Sequence, residues 1–78
     1  MEQTQKQLTF GESRVGVTFN PSQNEYVEIL KRQTAGLIDL LNENSQASEN
    51  HEAKRAYSVA MTNFEDACMW AVKAITKQ

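Results

Sequence analysis

Residues 53–75 carry the longest amphipathic repeat in the chain. Ala53, Tyr57, Ala60, Phe64, Ala67, Ala71 and Ala74 recur at alternating spacings of four and three, the seam of a helix packed lengthwise on another helix. Arg55, Thr62, Asp66 and Lys73 fall on the opposite face. From residue 67 to residue 75 only Lys73 is polar, and a helix that is apolar nearly all round has to be covered on several sides. A second repeat runs through Val27, Leu30, Thr34, Leu37 and Leu41, widened by Ile38, while Ile29, Gly36 and Leu40 form a separate patch. A two-helix hairpin uses one stripe on each helix, so the surplus apolar surface predicts self-association.

The punctuation between the repeats sets the expected element ends. In Asn20-Pro21-Ser22-Gln23-Asn24-Glu25 the proline biases Asn20 away from helical dihedrals, and Ser22 with Glu25 matches a capping box. This predicts a first helix over 22–41. A polar linker over 42–47 and a second helix over 48–76 follow, with Ser45 or Ser48 as its cap. Residues 1–7 are polar and without period, a frayed end. Over residues 8–19, Gly11 and Gly16 break helical continuity, and Val15, Val17 and Phe19 alternate with Gly16 and Thr18. The whole of 1–19 therefore reads as an arm, extended or a short strand where it is apolar. The expected fold is a single all-α domain over 1–78, an antiparallel two-helix hairpin with an extended N-terminal arm, assembled into a homo-oligomer.

Size and composition strengthen the oligomer. A chain of 78 residues is marginal as a lone domain. Cys68 is its only cysteine, so no internal disulfide can staple it, and His51 and Cys68 stand too far apart to predict a metal site. Eight basic and ten acidic residues give a net charge of −2, which argues against duplex DNA and anionic membranes as partners. No signal peptide or bilayer-spanning run is evident, and a reducing cytoplasm is the expected setting.

No nucleophile–base pair emerges. His51 sits at a helix start among polar residues, Cys68 reads as an inert core thiol, and Glu25, Glu28, Asp39, Glu65 and Asp66 form no evident acid–base or metal cluster. No enzyme and no cofactor is expected. Phe10 and Arg14 place an aromatic ring and a guanidinium on the arm, a pair able to stack a base and grip a phosphate. The start of the first helix offers free N–H groups to a phosphate, and Lys31 and Arg55 add charge. Each also has a plainer reading, Phe10 as a packing anchor and the cations as ordinary surface charges.

The run Arg14-Val15-Gly16-Val17-Thr18-Phe19-Asn20-Pro21-Ser22 resembles the phage anti-CBASS sponge proteins. So do residues 27–31, Leu37-Ile38-Asp39-Leu40-Leu41, and the C-terminal stretch from Glu65 through Met69-Trp70-Ala71-Val72-Lys73-Ala74 to Lys77. The resemblance covers nearly everything from residue 14 to residue 77, with residues 42–50 and the first dozen residues as the variable parts. It implies a small helical homo-hexamer, in the cytoplasm of the infected bacterial host, that sequesters the cyclic dinucleotides and cyclic trinucleotides of CBASS defence without cleaving them. It also implies separate pockets between protomers. Phe10, Gly11, Arg14, Asn20, Ser22, Tyr26 and Lys31 are assigned on that basis to the dinucleotide, and Arg55 and Thr62 to the trinucleotide. Trp70 is expected in the core or at an interface. Two other readings stay open: a structural helical oligomerisation module, and a helix-turn-helix DNA binder, which the acidic charge and the lack of a basic recognition helix disfavour.

Overall fold

Three helices follow one another, α1 (Phe10–Val15), α2 (Glu25–Ala47) and α3 (His51–Thr76), in a computed structural model that describes residues 7–77. Most of the expected frayed end, residues 1–6, lies outside the described residues. The described residues are all-helical, with no strand among them, and α2 and α3 form the hairpin.

Where an extended arm is expected, residues 10–15 are helical. Thr9 and Glu12 form a reciprocal capping box: Thr9 Oγ1 accepts from the Glu12 amide and Glu12 Oε1 accepts from the Thr9 amide, each at 3.0 Å. Gly11 does not break the helix, because it sits in the first turn, and its amide donates to Asp39 Oδ1 of α2 at 2.6 Å. Gly16 does end it, in the left-handed region at φ 66°, with the Val17 amide returning to the Glu12 carbonyl at 3.0 Å.

The hairpin ends also differ from expectation. Asn24, rather than Ser22, caps α2, its Oδ1 accepting from the Tyr26 and Val27 amides at 2.8 and 3.4 Å. Ser22 instead shapes the turn before it. Residues 42–47 continue α2 rather than linking, because Leu41, Asn42 and Ser45 still lie half-buried, and Lys54 Nζ closes the helix end by donating to the Ser45 carbonyl at 2.9 Å. Only residues 48–50 connect the helices, with Asn50 capping α3 through the Ala53 amide at 3.0 Å.

Packing follows the predicted stripe on α2 in the main. Val27, Thr34, Ala35 and Ile38 are buried, Ile38 completely, while Leu37 stays half-exposed at the edge. On α3 the expected seam is partly displaced. Ala53, Tyr57, Ala60 and Ala71 are half-buried, but Phe64, Ala67 and Ala74 are exposed, and Met61 and Cys68 hold the core positions with Glu65 and Val72 beside them. A helix of 3.6 residues per turn drifts away from a strict 3.5 repeat, and Met61 and Cys68, one position along from Ala60 and Ala67, are the residues buried. The molecule measures 42 by 41 by 12 Å along its principal axes. Its short dimension is about one helix diameter, so the hairpin is a single layer.

Candidate functional site

The short helix α1 packs mainly against α2, touches α3, and forms a groove with the hairpin. Arg14 and Val15 of α1, Phe19 of the following loop and Lys31 of α2 line one side, and Thr62, Glu65, Asp66 and Met69 of α3 line the other. Cys68 and Val72 complete the apolar floor, and the cavity is about 530 Å³. That volume lies within the range of small-molecule sites.

Lys31 is the most constrained charge there. It is 7% exposed, because Val27, Lys31, Ala35 and Ile38 share the inward register of α2. Its ammonium donates to the Gly16 carbonyl at 3.1 Å and to the Phe19 carbonyl, and lies 5.5 Å from the centre of the Phe19 ring. The two carbonyls cap the loop that follows α1, so the lysine both carries charge into the groove and fixes the loop that walls it. No ion pair to Lys31 occurs among the described residues, whereas Arg14 has a partner. Arg14 Nε and Nη2 both donate to Glu65 Oε1 at 2.8 Å, and the guanidinium lies 5.2 Å from the Phe10 ring.

The other expected site residues divide by location. Phe10 is partly exposed beside Arg14, and Gly11 is buried where α1 meets α2, with its amide committed to Asp39. Asn20 Nδ2 donates to the Asn24 carbonyl at 3.1 Å and its Oδ1 accepts from Ser22 Oγ at 2.8 Å, so both side chains brace the entry to α2. Asn20 also lines a second, shallower recess with Thr18, Glu28 and Arg32. Tyr26 is 72% exposed on the outer face of α2. Thr62 stands across the groove from Arg14 and Lys31, whereas Arg55 is exposed seven residues earlier on α3 and lies outside the groove. The groove therefore brings together Arg14, Lys31 and Thr62.

Two carboxylates that carry the arrangement escape a reading by motif. Glu65 holds Arg14 and Asp39 holds α1. Glu65 does leave a trace in the sequence: it falls between Met61 and Cys68 on the buried register of α3, a polar residue where the stripe calls for an apolar one.

These features define the class: a helical hairpin with a short helix, α1, packed mainly against α2, carrying a groove lined by cations and carboxylates. The Acb2/Tad1 hairpin-domain model matches residues 12–76, and the chain belongs to that family, the anti-CBASS sponge family that its motifs resemble. Phe10 and Gly11 precede the matched segment. Comparisons with curated proteins and with solved structures each give no match. No described helix is long and apolar enough to cross a membrane.

Proposed function

We propose that the protein is an anti-defence sponge. In the cytoplasm of the infected host it binds cyclic di- and trinucleotide signals and holds them uncleaved, so that CBASS effectors are not activated. The family match over residues 12–76 carries this reading. The groove offers local contacts for it, with Arg14 and Lys31 as cations for a ligand that brings two negative charges, although Glu65 and Asp66 leave its lining neutral in sum. Arg14 grips phosphate in this account, and Phe19 and Phe10 supply aromatic faces. Arg55 and Thr62 serve the trinucleotide in this account, Thr62 from within the groove and Arg55 from outside it.

The working form is a homo-hexamer. The protomer's core is small, and Trp70 and Met69 are each 59% exposed on α3, with Leu40 and Ile29 exposed on α2, apolar surface that a second layer would cover. The same surface favours the second reading, an oligomerisation module without a small-molecule ligand. Titration calorimetry with a panel of cyclic di- and trinucleotides separates the two. Saturable binding of at least one member is expected, and no heat from any of them would leave the oligomerisation module standing.

A further inference from the structure

The charges lining the groove cancel. Arg14 and Lys31 supply two positive charges, and Glu65 and Asp66 two negative ones, so the groove has no surplus with which to attract a polyanion. The cancellation is closest at one pair. Arg14 uses Nε and Nη2 on a single oxygen, Oε1 of Glu65, and no described residue donates to Oε2. The side chains are 28% and 39% exposed, so the pair presents a guanidinium edge and a free carboxylate oxygen side by side. A phosphate that grips Arg14 must then sit next to a carboxylate, and like charges brought together in an interface repel strongly. A ligand that also carries N–H donors can give them to Glu65 and turn the repulsion into a charge-assisted hydrogen bond. Glu65 stands between the buried Met61 and Cys68 along α3 and is itself partly exposed at the groove.

We propose that Glu65 is a specificity-determining residue of the groove. It excludes phosphate polyanions that lack a donor edge and admits nucleotides whose bases present N–H groups to its carboxylate. This rests on the nucleotide-binding reading above and names the part of the ligand that does the selecting. A ligand that offers no donor to this half-exposed carboxylate keeps the like-charge repulsion at Arg14, and one that donates to it relieves that repulsion.

The test is a calorimetric titration with inorganic tripolyphosphate at low ionic strength, on wild type, Glu65→Gln, Glu65→Met and the double variant Arg14→Ala/Glu65→Gln. Glutamine keeps the contact to Arg14 without the charge, and methionine fits the apolar stripe, so the two give independent readings of the same charge removal. Both single variants should bind tripolyphosphate at least about tenfold more tightly than wild type, and the double variant should return to the wild-type level. Equal affinity of wild type and both single variants would overturn the proposal. So would a gain that survives loss of Arg14. The comparison stands whether or not a cyclic nucleotide binds, so failure here is distinct from failure of the sponge reading.

Discussion

A side chain at position 11 has no space. A Cβ on Gly11 would lie 2.1 Å from the Ala35 carbonyl oxygen and 2.9 Å from Asp39 Oδ1, the oxygen that already accepts the Gly11 amide. Gly11→Ala should lift α1 from α2 and destabilise the protein by about 1–3 kcal/mol. Urea unfolding reads this directly, and an unchanged midpoint would contradict the close approach. Lys31→Met should lose a similar amount, about 1–3 kcal/mol, because the Gly16 and Phe19 carbonyls lose their donor. Arg14→Ala removes the guanidinium that the sponge account aims at phosphate. With hydrogen bonds to charged groups contributing about 1.5–3 kcal/mol, dinucleotide affinity should fall roughly tenfold to a hundredfold, and undiminished affinity in calorimetry would take Arg14 out of the site. These residues were only half legible in the sequence. Lys31 and Arg14 stand out as cations, but the partners that define their work, two loop carbonyls for Lys31 and Glu65 for Arg14, are brought to them by tertiary packing. Gly11 reads as a helix breaker because nothing local reveals the Ala35 backbone pressed against it.

Among the elements, helix bodies were more legible than helix ends. The stripes on α2 and α3 identify a hairpin from periodicity alone, since burial imposes a helical period wherever one face is covered. The ends depend on which of several adjacent capping residues wins. Ser22 and Asn24 both qualify before α2, and Asn24 prevails because its side chain meets the Tyr26 and Val27 amides, while Ser22 hydrogen-bonds Asn20. The polar run after Leu41 remains helical because α3 still packs beside it and Lys54 caps its end. Thr9 with Glu12 is a capping box in plain sight, yet two glycines close by outweigh it when the chain is read without Asp39. The cap on α3 offers a clean measurement: Asn50→Ala should reduce stability by about 1 kcal/mol and leave the groove unchanged, because Asn50 lies at the opposite end of α3 from Cys68 and Val72. A loss of ligand affinity with unchanged stability would contradict that separation.

The molecule is 12 Å across its short axis, and each long helix has a face that no described residue covers. Trp70 shows the consequence. It is 59% exposed, with the Lys73 ammonium 4.8 Å from its ring centre, so of the two places expected for it, core or interface, the protomer's core is excluded. In the proposed hexamer it lies between copies. Trp70→Ala should then shift the protein to smaller species in sedimentation equilibrium while its helical circular dichroism persists at high concentration. An unchanged assembly would place the ring outside the interface. The central claim is that the whole assembly removes a signal without consuming it. The most direct measurement mixes cyclic GMP-AMP with an excess of protein, filters off the protein, heats the retained fraction and assays both fractions by chromatography. The account predicts a filtrate depleted of the nucleotide and full recovery of the intact cyclic compound on heating. Nucleotide left in the filtrate, or a linear product recovered from the protein, would contradict it.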